Sequence, residues 1–263
     1  MNEFFGKVGQ SAAFVMSGVA RLGGLFHEVF VAILNCFRVP IRVRAVFEQM
    51  LLAGVDSLPI ICLVSASVGM VLALQSAYQL KEFGAILYTG SLVSVSVTRE
   101  LGPLVAAIVI SGRIGARMAA ELGTMKVQEE VDALVTMGLN PIRFLVVPRV
   151  IAMVVMLPCL TVITDLTAML GGYLIGTYGV HINPDLYIAK SIEAMVLKDI
   201  YTGTSKSVIF AALIALVSCH QGLSVEGGAE GVGKATTQAV VTSIVLIIVV
   251  DCLATAVFYY AFP

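Results

Sequence analysis

Long apolar runs separated by short polar segments dominate the pattern of this chain. A helix needs roughly 20 apolar residues to cross a hydrocarbon core about 30 Å thick, and five runs meet that requirement. We predict the spans at Ser57–Leu80, about Leu92–Ala119, about Phe144–Tyr173, about Gly203–Gly222 and about Ala239–Phe262. Because a single span in lipid must satisfy its own backbone hydrogen bonds, each is expected to be helical. The pattern therefore predicts an all-α, polytopic membrane protein with five transmembrane helices.

The first 47 residues follow a different pattern. Apolar residues recur there at steps of three and four along one helical face: Val15, Val19, Leu22, Phe26, Phe30, Ile33 and Phe37. Arg21 and Glu28 lie off that face, which is typical of an amphipathic helix lying in the membrane interface. A sixth span is the alternative, since residues 11–20 carry no charge. We assign residues 1–47 to an N-terminal interfacial helix region and 48–263 to a transmembrane domain.

Composition agrees with a membrane protein and excludes several other classes. The chain is 59% hydrophobic and only 13% charged, which lies outside the usual range of soluble domains. Its net charge is -1, and no Lys/Arg cluster is interleaved with aromatic residues, so nucleic acid is not an expected partner. The five cysteines and three histidines are scattered. We therefore expect no metal site, no cofactor and no catalytic residues.

The distribution of Lys and Arg predicts the orientation of the chain. Basic residues concentrate in the N-terminal segment and in the loop after span two: Lys7, Arg21, Arg38, Arg42, Arg44, Arg113, Arg117, Lys126, Arg143 and Arg149. The segments on the other side hold Lys81, Lys190 and Lys198. The positive-inside rule then places the N-terminus and this loop in the cytoplasm, and five spans place the C-terminus on the far side.

Ionisable residues also occur inside the predicted spans, where each costs about 2.5 to 3.5 kcal/mol on insertion scales. The candidates are Arg99, Glu100, Lys206 and Asp251, with Asp165 a weaker one. Arg99 and Glu100 are adjacent, so their side chains point about 100° apart on a helix and cannot simply pair with each other. We expect both to contact other spans, with Lys206 and Asp251 as partners. Such contacts either hold the bundle together or face a polar cavity.

Between spans two and three, acidic residues cluster in the segment 124–137. One face is apolar and the remainder is acidic or amide-bearing: Val127, Val131, Leu134 and Val135 on the first, Gln128, Glu129, Glu130 and Asp132 on the second. Thr124 is a plausible N-cap, and Gly138 with Asn140-Pro141 is expected to end the helix. The segment is predicted to be a short amphipathic helix on the cytoplasmic side. It is either a solvated surface helix or a contact for another protein.

The stretch 228-GAEGVGKAT-236 is similar to a phosphate-binding P-loop, but two features argue against one. Ala235 occupies the position of the Ser or Thr that holds magnesium, and a membrane span rather than a buried strand precedes it. A glycine-rich turn leading into span five is the preferred interpretation.

Several segments together resemble the MlaE/YrbE family of ABC-transporter permeases. They are 99-RELGPLVAAIVISGRIGARMAAELGTMKVQEEVDALVTMGLNP-141, 148-PRVIAM-153, 206-KSVIFA-211 and 227-GGAEGVGKATTQAVV-241. The resemblance covers about residues 50–262, and the acidic 129-EEVDAL-134 is its most specific part. Residues 1–47 match only in general character.

The resemblance implies a homodimeric permease in a bacterial inner membrane that pairs with a separate cytoplasmic ATPase. It also implies a periplasmic MCE-domain protein and a small STAS-domain protein as partners. The expected cargo is glycerophospholipid moved between inner and outer membranes. ATP would be bound by the partner ATPase, so this chain is not expected to be an enzyme.

The resemblance also assigns residues to two sites. A lipid pocket near the dimer axis would be lined by Leu72, Leu74, Gln75, Tyr78, Arg99 and Glu100, with Lys206 and Asp251 nearby. Residues 124–137 would be the coupling helix that contacts the ATPase, through Val127, Glu129, Glu130, Asp132 and Leu134. Because a guanidinium suits bidentate contact, Arg99 is the candidate for binding a lipid phosphate.

Two other classes of protein remain as alternatives. An integral membrane enzyme acting on lipids would need a nucleophile or metal constellation near one interface, and the loops show none. An ion-coupled secondary transporter using Arg99, Glu100 and Asp251 as a relay would be favoured by inverted repeats, which the sequence does not show.

Overall fold

The computed structural model describes residues 43–261, and all regular structure in that range is helical. Five of its helical stretches are long and apolar enough to cross a membrane: Val43–Glu82, Ile86–Val127, Ile142–Gly179, Leu197–Leu223 and Gly228–Tyr260. The predicted all-α class and five spans are thus confirmed. Residues 1–42, with most of the predicted interfacial helix, lie outside the described residues, so that hypothesis stays a prediction.

The α-helices have the following bounds: α1 Val43–Ala53, α2 Leu58–Glu82, α3 Thr89–Ser96, α4 Gly102–Ile110, α5 Ala116–Val127, α6 Glu130–Thr136, α7 Val147–Leu174, α8 Pro184–Ala194, α9 Leu197–Leu223 and α10 Gly228–Ala261. Span one is α2 and span two is α3 to α5. Spans three, four and five are α7, α9 and α10. Short π-helical segments occur at Val97–Leu101, Ser111–Gly115, Ile142–Val146 and Ile175–Gly179.

Several spans extend beyond the predicted boundaries. Span four begins at Leu197 rather than near Gly203, and span five begins at Gly228 rather than near Ala239. The prediction followed uncharged runs, which mark the part of a helix that lies in hydrocarbon. Outside that part the backbone hydrogen bonds continue, so charged residues such as Asp199 and Lys234 lie within the same helices.

The loop between spans two and three differs from the single helix predicted for residues 124–137. Thr124 is not an N-cap, because α5 continues to Val127 and the Thr124 hydroxyl donates to the Ala120 carbonyl. Glu129 adopts a left-handed backbone conformation with φ 61°, which interrupts the helix before α6 begins. The predicted end is correct, since α6 ends at Thr136, ahead of Gly138.

Packing among the spans is uneven. Span one lies along span three, and their backbones approach so closely at Gly171 that a β-carbon there would overlap the backbone of Ala66. Span four packs against spans two, three and five. Span five, in contrast, has only 11% of its most apolar stretch buried, compared with 56% for span three. Span five therefore presents most of its apolar surface outside the protomer.

The two ends of the bundle have different structures. We call the end that carries residues 128–141 the loop side and the opposite end the cleft side. On the cleft side, Asn183 caps the start of α8, and its side chain accepts hydrogen bonds from the backbone amides of Asp185 and Leu186. Tyr187 anchors α8, since it is 3% exposed and packs edge-on against Tyr173 with ring centroids 5.8 Å apart.

Candidate functional site

A cleft of about 620 Å³ opens among spans two, four and five toward the cleft side. Its lining combines ionisable residues with aromatic ones: Arg99, Glu100, Lys198, Asp199, Thr202, Lys206, Thr255, Phe258, Tyr259 and Tyr260. Arg99 and Glu100 come from the π-helical segment Val97–Leu101 of span two. A π-turn locally displaces side chains from the α-helical register, and such turns are frequent at functional sites. The cleft thus has a charged lining and an aromatic part contributed by the end of span five.

Lys206 is a deeply buried cation in this cleft, with a side chain only 2% exposed. Its Nζ donates to Glu100 Oε2 at 2.5 Å and to Thr255 Oγ1 at 2.8 Å. Asp251 Oδ1 lies 3.0 Å from the same nitrogen. Oxygen atoms from spans two and five therefore surround the ammonium group, which offsets much of the cost of burying it.

Arg99 pairs with a different residue, Asp199 in the first turn of span four. Arg99 Nε donates to Asp199 Oδ1 at 2.6 Å, and the Asp199 side chain is 1% exposed while that of Arg99 is 51% exposed. Asp199 Oδ2 also accepts from the Val196 amide at 3.3 Å, which fixes the carboxylate at the start of the helix. The guanidinium is consequently held on one side by a buried carboxylate and faces the cleft with its remaining donors.

The expectation that Arg99 and Glu100 would contact other spans is confirmed. Lys206 pairs with Glu100, one of the expected pairs. Asp251 pairs with Lys206 rather than with Arg99 or Glu100, and the partner of Arg99 is Asp199 instead of Lys206 or Asp251. Asp165 does not join this group: its Oδ1 is buried without a hydrogen-bond partner among the described residues, beside Gly102. The intramembrane charges thus form a shared site on spans two, four and five, with Asp165 apart on span three.

Sequence reasoning missed Asp199 and Thr255, although a periodic pattern points to both. Asp199 and Lys206 are seven residues apart, and Asp251 and Thr255 are four apart, so each pair shares one helical face. Asp199 was assigned to a segment preceding span four, because the predicted span began only near Gly203. The longer helix brings Asp199 onto the same face as Lys206.

The predicted pocket residues divide into two groups. Arg99 and Glu100 line the cleft. The remaining four lie on span one, which packs mainly along span three, and they are not part of the cleft lining within one protomer: Leu72, Leu74, Gln75 and Tyr78. Leu74 is 55% and Tyr78 73% exposed, so both face outward from the protomer. Their predicted place in a pocket between two subunits stays a prediction.

The predicted coupling residues also divide by exposure. Val131 and Leu134 are buried against the bundle, whereas Val127 is 40% exposed. Three acidic residues are exposed: Glu129, Glu130 and Asp132. Asp132 accepts from Lys126 Nζ at 2.9 Å across the break between α5 and α6. Buried apolar residues thus fix α6 to the bundle while it presents an acidic surface on the loop side.

The stretch similar to a P-loop does not form a phosphate-binding loop. Residues 228–236 are already helical, as the first turns of span five. The glycine-rich turn expected there lies just before and at the helix start, where Gly227 and Gly228 have φ values of 87° and 72°. Such values favour glycine, so these residues reverse the chain before span five.

Comparison with known proteins identifies related chains. The family model described as Permease MlaE matches residues 46–257. A protein of Rickettsia typhi, described as a probable ABC transporter permease, is 40% identical over 230 residues, covering 88% of this chain and 89% of that protein. A protein of Synechocystis with the same description is 40% identical over 229 residues, covering 87% of each chain.

A plant relative is also similar. The chloroplast protein TRIGALACTOSYLDIACYLGLYCEROL 1 of Arabidopsis thaliana is 35% identical over 229 residues, covering 86% of this chain and 65% of that protein. The match to the family model includes all the described charged residues of the cleft and the whole loop between spans two and three.

Proposed function

The chain belongs to the MlaE family of ABC-transporter permeases, and from that premise we propose that it moves glycerophospholipids between the inner and outer membranes of a bacterial envelope. It is a multi-pass membrane protein. Family membership supports a transporter and not a membrane enzyme, and a permease rather than an ion-coupled carrier.

The observation that carries the lipid assignment is the composition of the cleft. Its charged lining includes Arg99, a half-exposed guanidinium that suits the phosphate of a headgroup. Aromatic side chains from the end of span five lie in the same cleft, and exposed apolar residues continue along that helix, including Leu253 and Val257. A molecule with a phosphate at one end and acyl chains at the other matches this arrangement.

The plant relative gives further support for a lipid cargo. It is named after a glycolipid, and it matches most of this chain at 35% identity. Glycolipids and glycerophospholipids share a glycerol backbone with acyl chains. Of these two lipid classes we propose the glycerophospholipid for this chain, because the Arg99 guanidinium favours a phosphate-bearing headgroup.

A separate ATPase is the proposed source of energy. The exposed acidic surface at the start of α6, formed by Glu129, Glu130 and Asp132, is the proposed contact for this ATPase. The loop side is accordingly proposed to be cytoplasmic, in agreement with its excess of basic residues. Val131 and Leu134 connect that surface to the bundle core. Movement of α6 would then tilt spans two and three and alter the cleft at Arg99 and Glu100.

A second copy of the chain, an MCE-domain protein and a STAS-domain protein complete the proposed assembly. The homodimer is proposed from family membership, and the surface of span five that is left unburied within one protomer offers space for the second copy to pack. The MCE-domain protein would lie on the cleft side and receive or deliver lipid. The STAS-domain protein would bind the ATPase.

Purification of the tagged chain from its native membrane tests this proposal. We expect a cytoplasmic ATPase to co-purify in equal amount and glycerophospholipid to be retained. A preparation that retains lipid but no ATPase would contradict the permease assignment, and one that retains ATPase without enriched phospholipid would contradict the cargo.

A further inference from the structure

A second group of charged residues lies on the loop side of span two, away from the cleft. Arg117 Nε donates to Glu121 Oε1 at 2.7 Å, and Arg149 Nη2 donates to Glu121 Oε2 at 3.2 Å. Arg149 is buried and also donates through Nη1 to the Leu145 carbonyl at 2.8 Å. Both oxygens of this carboxylate are thus already paired, one of them by a largely buried arginine.

Arg113 lies one turn before Arg117 on the same span. Its Nη1 donates to the hydroxyl of Ser57 at 2.8 Å, and Ser57 is 0% exposed. Within residues 43–261, Arg113 forms no ion pair with a carboxylate. A buried hydroxyl therefore holds this guanidinium at the start of span one while its charge stays uncompensated. Beside it, Gly112 faces open space.

The charges in this group do not balance. The group contains three guanidinium groups and one ion-paired carboxylate, Glu121, which pairs with Arg117 and Arg149 but not with Arg113. The neighbouring Asp56 is exposed and forms no ion pair in the described part of the chain. Two adjacent arginines with free donors match the oxygens of a phosphate, which accepts charge-assisted hydrogen bonds from both.

The position of the group along span two indicates which molecule supplies the phosphate. At 1.5 Å per residue, Arg117 lies about 27 Å along the helix from Arg99, close to the thickness of a hydrocarbon core. The helix then continues from Arg117 to Val127, which adds about 15 Å before the break that precedes α6. Arg117 thus lies at the depth of lipid headgroups, above the acidic surface of α6. Arg113, about 21 Å from Arg99 along the helix, lies about 6 Å deeper, a distance that the long arginine side chain spans.

We propose that Arg113 and Arg117 bind the phosphate of an anionic lipid in the leaflet on the loop side. The site is separate from the cleft, and its ligand is a bound lipid rather than cargo. Ser57 is the positioning residue that orients Arg113. Arg117 is held by Glu121 through Nε only, so its two terminal nitrogens are available to contact lipid. The inference requires that span two crosses the membrane with Arg117 near the headgroups, but it does not require that the protein transports a lipid.

Native mass spectrometry of the full chain with its co-purifying partners tests this site. The complex is placed in nanodiscs of equimolar phosphatidylglycerol and phosphatidylcholine, and the lipids that remain bound on release are counted. We expect the ratio of retained phosphatidylglycerol to phosphatidylcholine to fall about tenfold for R113Q/R117Q, the loss expected from about 1.4 kcal/mol of charge-assisted binding. The matched control is R44Q, which removes an arginine whose side chain is 93% exposed on α1.

Further variants and additives separate the alternatives. R117Q alone leaves Glu121 paired with Arg149, so it should fold and still show a reduced ratio. S57A should reduce the ratio less than R113Q/R117Q. An unchanged ratio in R117Q and R113Q/R117Q would overturn the proposal. Displacement of phosphatidylglycerol by millimolar inorganic phosphate would also overturn it. A loss of the ATPase from R113Q/R117Q while its lipid retention stays unchanged would overturn it as well.

Discussion

Lys206 Nζ of span four lies 2.5 Å from Glu100 Oε2 of span two, and the lysine side chain is 2% exposed. Span five completes the site through Asp251 and Thr255. Buried ion pairs contribute little net stability, but removal of one partner leaves an uncompensated charge in a medium of low polarity. The pair therefore fixes how three spans meet beneath the cleft, at the depth where a lipid headgroup is proposed to bind.

Substitution of Lys206 should destabilise the protein strongly. K206M leaves two carboxylates, Glu100 and Asp251, without their cation, and we expect a loss of about 3 to 5 kcal/mol in stability. Thermal unfolding of the purified protein, followed by loss of helical circular dichroism, measures the effect. K190M is the matched control, because that lysine forms a surface pair with Glu193 and should change stability by less than about 1 kcal/mol.

The same measurement on K206M/E100Q/D251N tests the electrostatic cause. Neutralising all three groups removes the unpaired charges, so most of the lost stability should return. A triple variant as unstable as K206M would show that the lysine acts through packing alone.

Substitution of Arg99 should reduce contact with lipid phosphate. A photoactivatable phosphatidylethanolamine in the membrane should crosslink to the end of span five near Tyr259 less efficiently in R99Q/D199N, by about tenfold. The double variant is used because R99Q alone leaves buried Asp199 unpaired. Equal crosslinking in wild type and R99Q/D199N would refute the headgroup role of Arg99.

The sequence was sufficient to predict the parts of the site that depend on individual residues. Arg99, Glu100, Lys206 and Asp251 are conspicuous as charges in apolar runs, and the need of each for a partner follows from the cost of isolation in lipid. Of the expected pairs, the structure contains the one between Lys206 and Glu100. Asp199 was missed because apolar runs do not mark where a helix begins. The left-handed conformation of Glu129 was also missed, since a non-glycine residue rarely adopts it and the local pattern favoured one continuous helix.

The hydrophobic pattern could not predict how the spans pack against one another, for a different reason. Leu72, Leu74, Gln75 and Tyr78 have the composition of a lipid-facing helix whichever neighbour they contact. Their place outside the cleft of one protomer depends on the packing of span one along span three, where Gly171 permits close approach. Periodicity specifies the faces of a helix but not the partner of each face.

Charge reversal on α6 should release the ATPase without unfolding the permease. The variant is E129K/E130K/D132K, and all three side chains are exposed, so we expect stability to change by less than about 1 kcal/mol. Co-purification of the ATPase should fall at least tenfold. The control, E82K/D185K/E193K, makes the same charge change on exposed residues of the cleft side and should retain the ATPase. Equal retention by both variants would contradict the coupling role.

Alkaline pH should weaken the attachment of α8. Burial raises the pKa of Tyr187 to about 12 from its ordinary value of 10.0. The pKa of Tyr187 is higher in the folded protein than in the unfolded chain, so the buried, protonated phenol stabilises the folded protein. This contribution is fully present below pH 10 and is lost as pH rises toward 12, by about 2 to 3 kcal/mol. Unfolding of wild type and Y187F between pH 9 and 12 measures it. Identical pH profiles for the two proteins would show that Tyr187 does not cause the loss.

The most direct test of the central claim is mass spectrometry of the lipids bound to the purified complex of permease and ATPase, before and after addition of ATP and magnesium. The account predicts that glycerophospholipid is enriched in the complex over the surrounding membrane, and that ATP hydrolysis changes the amount bound. A complex without enriched phospholipid, or one whose bound lipid is unaffected by ATP hydrolysis, would contradict it.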